Sequence, residues 1–150
     1  MTEKAILIVA SGGGHWIQMT KILPAIDGLK CVVATVDPSV SKQGEWDKFY
    51  LVKDFNKNNW WLFFSAINSI LNIIRKENIT HIISTGAAPG FVGVLVGRIL
   101  GKKTIWIDSI ANPEKLSLSG YMASYFVDRI YTQWERLSGV RGAIYSGRVL

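Results

Sequence analysis

Apolar residues along the chain alternate between two patterns. Lys4–Ala10 (KAILIVA) and Lys30–Val36 (KCVVATV) are continuous runs rich in β-branched residues, as expected of strands buried on both faces of a parallel sheet. Between them Trp16, Met19, Ile22 and Leu23 recur at helical spacing, and Pro24 marks the close of that helix. KFYLVKD reads as a short third strand and Trp60–Lys76 (WWLFFSAINSILNIIRK) as a helix. THIIST is a strand, GFVGVLVGRIL a helix ending at Gly101, and KTIWIDS another strand. LSGYMASYFV predicts a helix and RIYTQ a last short strand. The joints are short, and neither a linker nor a repeat interrupts them. The pattern therefore predicts one α/β domain over residues 1–150, a Rossmann-like, doubly wound, mostly parallel sheet. Ligands of such sheets gather beyond the C-terminal ends of the strands. That rule puts three loops on one rim: Ser11–Gly14, Thr85–Gly90 and Asp108–Ser119.

Composition narrows the picture. Of 150 residues, 49% are hydrophobic and 19% charged, which calls for a packed core rather than disorder. A net charge of +6 favours a polyanionic neighbour, whether nucleic acid, anionic lipid or a phosphorylated ligand. Nucleic acid is the least expected of these, because the basic residues are dispersed and no aromatic–basic stripe forms a stacking platform. The single cysteine, Cys31, lies in an apolar run and reads as a small buried residue of a reducing compartment. The N-terminal apolar stretch is too short for a signal peptide, and no run reaches the ~18 residues of a spanning helix. A cytoplasmic chain is expected.

Three consecutive glycines in VASGGGHWIQM, Val9–Met19, follow the first strand and open the first helix. Glycine lets backbone N–H groups approach a ligand, and a helix N-terminus adds about half a positive charge, so Ser11, Gly12, Gly13 and Gly14 suit a diphosphate. The dinucleotide fingerprint is not met, since Ile17 stands where the third small residue belongs. Asp37 does end the second strand, where a ribose-binding acid would lie, so a nucleotide site stays open as an alternative. His15, in the helix's first turn, is a candidate base for a sugar hydroxyl and equally a packing residue. His81 at a strand start reads as structural. One cysteine and two scattered histidines make no metal site, and no cofactor is expected.

A second small-residue loop, Thr85, Gly86, Ala87, Ala88, Pro89 and Gly90, stands between strand and helix, with Pro89 suited to a first turn. Two such loops facing one cleft are a stronger signal than either alone. In WIDSIANPEKLSLSG, Asp108 lies just past a strand, a second candidate base or a cap for nearby backbone, followed by Ser109 and Asn112. In Trp60–Lys76 a thin polar stripe of Ser65, Asn68, Ser69 and Asn72 leaves most of the circumference apolar, and Trp60, Trp61, Phe63 and Phe64 crowd one end. A covering helix needs one apolar stripe. The surplus points to a membrane interface or a protein partner, unless the helix is wholly buried.

Together, SGGGHW, STGAAPG and WIDSIAN…LSLSG resemble the PssD-type subunit of bacterial exopolysaccharide glycosyltransferases. That subunit is similar to the membrane-recruiting half of the two-part N-acetylglucosaminyltransferase of dolichol-linked oligosaccharide synthesis. The resemblance runs from about Ile6 to the tail YSGRVL. It implies the N-terminal half of a GT-B glycosyltransferase as a separate polypeptide on the inner face of the cell membrane. Such a subunit binds a polyprenyl-diphosphate-linked sugar, while a donor-binding partner subunit holds the UDP-sugar and the heteromer closes the cleft. By motif, Gly12–Gly14 with His15 correspond to the first acceptor loop, Thr85–Gly90 to the second, and Asp108, Ser109 and Asn112 to the third. Dolichol-pathway relatives more often carry glutamate at the position of Asp108 and commonly an N-terminal membrane helix. Here the chain starts straight into the first strand, so membrane contact is expected of Trp60–Lys76 and the basic charge. The family's C-terminal tail lies at the subunit interface, which makes Tyr145, Arg148, Val149 and Leu150 expected partner contacts. Domain size agrees: a complete GT-B enzyme needs two domains of ~100–200 residues each, and 150 residues hold one.

Overall fold

A computed structural model describes residues 3–150. Seven strands, β1 (Ala5–Ala10), β2 (Lys30–Thr35), β3 (Lys48–Leu51), β4 (His81–Ser84), β5 (Lys103–Ile107), β6 (Arg129–Thr132) and β7 (Ile144–Tyr145), alternate with helices α1 (Gly14–Ile22), α2 (Leu62–Lys76), α3 (Ala87–Ile99) and α4 (Leu118–Ala123). The sheet order is β3-β2-β1-β4-β5-β6-β7 with every pairing parallel. The first strand, buried at all six positions, is central because its run is apolar on both faces. Alternation along the pleat sends Leu7 and Val9 to one layer and Ile6 and Ile8 to the other. Helices α2, α3 and α4 cover the first layer, and Trp16 and Met19 of α1 anchor the second. Strand order reverses between β1 and β4, so the switch point lies where the first two glycine loops emerge.

Differences from the sequence pattern have local causes. Pro24 sits not at the end of α1 but inside a following 3₁₀ turn, Leu23–Ile26. The RIYTQ strand is not the last, because the two-residue β7 pairs with it beyond two further 3₁₀ turns. Only tertiary pairing defines a strand that short. The helix expected over Leu118–Val127 stops at Ala123. Helix α2 begins at Leu62, and its inward stripe is Ala66, Ile70, Ile73 and Ile74. Cys31 is half-buried, and burial, with Asp47 beside it, pushes its thiol up to about 11.

The glycines of α3 explain how it lies on the sheet. A Cβ at Gly93 would stand 2.8 Å from Val9 Cγ2, and one at Gly97 would stand 1.9 Å from Ile82 Cδ1. Their absence lets the helix rest directly on β1 and β4. Away from the rim, Glu77 (5% exposed) closes α2. It pairs with Lys30 Nζ at 3.1 Å and accepts a hydrogen bond from Tyr50 Oη. That hydrogen bond holds the Glu77 carboxyl below its ordinary value against the effect of burial, with Lys30 adding to it, and the same bond pushes Tyr50 up to about 12. Glu77→Gln is expected to lower stability by ~1–3 kcal/mol at neutral pH. A depressed carboxyl stabilises fully above its unfolded value near ~4.3 and loses that contribution as pH falls through the folded value. Denaturation midpoints of the two proteins should therefore converge in acid.

Candidate functional site

Both glycine loops end as helix N-termini without a side-chain cap: Gly13 precedes α1 and Gly86 precedes α3. The first-turn N–H groups of α1 are thus free to point at a ligand, as are those of Ala87 and Ala88 in α3, where Pro89 has no N–H and Gly86 N donates to Ser84 Oγ at 3.2 Å. The loops are stitched together by one residue pair. His15 Nδ1 lies 3.0 Å from the Thr85 carbonyl oxygen, and Thr85 Oγ1 donates to the His15 carbonyl at 2.7 Å. A carbonyl only accepts, so Nδ1 carries a proton and the neutral ring keeps Nε2 as its lone-pair nitrogen. Among the described residues nothing hydrogen-bonds to Nε2. The imidazole lies flush on Gly86, where a Cβ would sit 2.6 Å from both Cε1 and Nδ1. Gly86 has φ +135° and the next residue, Ala87, φ +65°, a left-handed step that a non-glycine residue rarely takes.

The third loop is built differently. Asp108 is 2% exposed. Its Oδ1 accepts from Trp106 Nε1 (3.0 Å) and Ser117 Oγ, and its Oδ2 accepts from Ser117 N (2.8 Å). The Ser117 hydroxyl in turn accepts from Gly120 N and caps α4. Of its two expected roles, base and backbone cap, this geometry fits the second: the carboxylate braces β5 against α4. Ser109 is buried too, its Oγ accepting from Ala111 N at 3.1 Å, and Asn112 is half-buried in the turn that follows.

A buried polar junction that the sequence reading missed joins this loop to the first glycine loop and to the C-terminal tail. Gln18 (3% exposed) donates from Nε2 to the Gly14 carbonyl and to Ser109 Oγ, and accepts from Ile110 N at 3.1 Å. Gln133 donates to Gln18 Oε1 and to the Asp108 carbonyl, and its Oε1 accepts from Val149 N. The visible signal was Gln18 itself, an amide on the apolar side of α1 between Trp16 and Met19. The tail is held by the same junction. Val149 is tied to Gln133, Arg148 stacks 4.2 Å from the centre of the Trp134 ring, Tyr145 lies in β7, and Leu150 is 52% exposed.

Asp37 closes against the first loop: a Cβ at Gly12 would be 2.6 Å from Asp37 Oδ2. The Asp37 carboxyl caps a 3₁₀ turn through Ser39 N at 2.9 Å, and these Ser39 hydrogen bonds hold it below its ordinary value. His81 stands at the start of β4, 2.8 Å from Thr80 Oγ1 and away from the rim. The aromatic cluster at the head of α2 divides. Trp60, Trp61 and Phe64 are 62%, 57% and 63% exposed, while Phe63 turns inward, edge-to-face with Phe55 at 5.6 Å. Phe63 therefore contributes to packing rather than to the outer surface. No helix among the described residues is long and apolar enough to cross a membrane.

Comparison with known proteins places this geometry. Residues 51–149 match the family described as "Oligosaccharide biosynthesis protein Alg14 like". No curated protein sequence matches the chain. Among solved structures, MurG of Acinetobacter baumannii superposes with a TM-score of 0.78 at 12% identity, over 94% of this chain and 44% of its own. UDP-N-acetylglucosamine 2-epimerase of Rickettsia bellii gives 0.74 at 10% identity, over 99% and 46%. The UDP-GlcNAc 2-epimerase of Methanocaldococcus jannaschii gives 0.70 at 10%, over 96% and 45%. At such identities the likeness is one of fold, and the chain spans less than half the length of each. Its sheet matches the N-terminal half of GT-B glycosyltransferases. With 99 of its 150 residues matched, the chain belongs to the Alg14-like family of oligosaccharide biosynthesis proteins.

Proposed function

We propose that this protein is the acceptor-binding subunit of a two-component, membrane-associated, inverting glycosyltransferase of exopolysaccharide or capsule synthesis. The diphosphate of a polyprenyl-diphosphate-linked saccharide rests on the free N–H groups of Ser11–Gly14 and, in the loop Thr85–Gly90, on those of Ala87 and Ala88. Ser109 and Asn112 shape the sugar end of the cleft. His15 Nε2 takes the proton from the acceptor hydroxyl as its oxygen bonds the anomeric carbon of a UDP-sugar. UDP departs from the opposite face with the bonding electron pair, which inverts the centre. A partner subunit holds the donor and meets this chain around Tyr145–Leu150. Trp60, Trp61 and Phe64, with the net positive charge, rest on the inner face of the membrane. The observation that carries this reading is the His15–Thr85–Gly86 junction, which joins two uncapped helix N-termini and leaves one imidazole nitrogen free beside them.

The test is transfer of radiolabelled sugar from a UDP donor to a polyprenyl-diphosphate saccharide in vesicles. The chain alone is expected to transfer nothing, and turnover is expected on adding a donor-binding partner subunit. Full-rate transfer by the chain alone overturns the two-component reading. One observation favours a second reading, a stand-alone nucleotide-binding module: Asp37 stands where a ribose-binding carboxylate would, against Gly12. Tight calorimetric binding of NAD or ATP by the isolated chain would select that alternative.

A further inference from the structure

A groove of 460 Å³ opens beside the second glycine loop. It is lined by Phe55, Trp60, Phe63, Phe64 and Ala88, the last a residue of the loop itself, together with Asn56 and Lys57. Apolar lining with a few polar groups is the build of a small-molecule site, and the volume lies within the ~300–1,000 Å³ such sites occupy. We propose that this groove holds the first isoprene units of the acceptor lipid, and that the diphosphate sits over the N-terminus of α3 with Lys57 beside it. The inference rests on the acceptor-binding reading and adds the lipid's own subsite to it.

Three observations select this occupant. The groove is continuous with the anion-binding backbone: Ala88 belongs to the first turn of α3, whose cap Gly86 supplies no side-chain acceptor. A molecule apolar along its length and doubly anionic at one end matches that junction. Charge agrees, since exposed Lys57 lines the groove, and Asp54, the nearby acid, is turned to its neighbour's backbone as acceptor from Phe55 N. Of the two loops that share the diphosphate, the second bears the larger part, because the Asp37 carboxylate lies against Gly12 of the first. Within the aromatic cluster that meets the membrane, Trp60 and Phe64 also line the groove, whereas Trp61, exposed and outside it, meets the bilayer alone.

Binding of inorganic diphosphate, geranyl diphosphate, farnesyl diphosphate and farnesol to the full chain, measured by calorimetry and tryptophan fluorescence, tests this. Farnesyl diphosphate is expected to bind at least about tenfold more tightly than inorganic diphosphate, with geranyl diphosphate between. Ala88→Phe, which puts a side chain into the groove, should weaken farnesyl diphosphate about tenfold more than it weakens inorganic diphosphate. Phe64→Ser, at an exposed position that folding does not need, should weaken it in the same direction. Trp61→Ala should leave farnesyl diphosphate unaffected and reduce binding to phosphatidylglycerol vesicles. Equal affinity for inorganic and farnesyl diphosphate, or equal competition by dioctanoyl phosphatidylglycerol, overturns the groove assignment while the acceptor reading stands. Farnesol binding as well as farnesyl diphosphate keeps the groove as an isoprenoid site and overturns its link to a diphosphate acceptor. Absence of binding by every probe overturns both.

Discussion

His15→Asn is expected to yield a folded subunit that binds acceptor normally and has lost turnover by ~10²–10⁴-fold in the reconstituted pair, the usual worth of a positioned base. The substitution separates two roles of one ring. An asparagine amide can donate to the Thr85 carbonyl as His15 Nδ1 does at 3.0 Å, so the link between the loops is retained. What it lacks is the lone pair at Nε2. The loss should therefore fall on kcat with KM for acceptor nearly unchanged, and thermal midpoints of the two proteins should agree. His15→Ala removes the link as well, and should also lower the midpoint and raise KM. Turnover by His15→Asn within about threefold of wild type would place the base elsewhere.

Gly86→Ala carries the second large effect. Backbone at φ +135° is essentially closed to a side chain, and the new Cβ would lie 2.6 Å from the imidazole. Strain alone costs about 1–3 kcal/mol. Relief comes by moving the ring, which breaks its bond to Thr85 and shifts Nε2 away from both helix N-termini. Misplacement of about an ångström at a reacting group costs on the order of 10²-fold in rate. Gly28→Ala is the matched control: φ is +80°, nothing lies within 4 Å of its Cβ, and it stands in the turn before β2, outside the rim loops. It should lose stability while keeping turnover. Circular-dichroism melts and transfer assays on both variants check this. If Gly28→Ala and Gly86→Ala lose activity equally, strain and not displacement of His15 is responsible.

The strands and the rim loops were legible because their signals are short in range. A strand such as KAILIVA is apolar at every position because it is covered on both faces, and that is visible in seven residues. The glycine runs were visible for the same reason, each loop being contiguous. Asp108 shows where this reasoning runs short. Its place after a strand is equally that of a base and of a brace, and only Trp106, Ser117 and Gly120 closing around it decide between them. Phe63 and Phe64 are adjacent and alike in sequence, yet one packs on Phe55 and the other faces out, because a helix turns its neighbours ~100° apart against a surface the local sequence does not describe. The β7 strand and the Gln18–Gln133 junction depend on pairings with distant residues, which leave no periodic trace.

By itself, then, the sequence determined the alternation of strands and helices, the parallel sheet and the three loops that share one rim, since hydrophobic period and glycine placement act over a few residues. Tertiary structure alone decided that the His15 ring lies on Gly86 with one nitrogen free, that Asp108 is withdrawn as a brace, and that an apolar groove includes Ala88 in its lining. Those outcomes come from packing between elements up to 70 residues and more apart in the chain, whose energies depend on shape and burial rather than on local order.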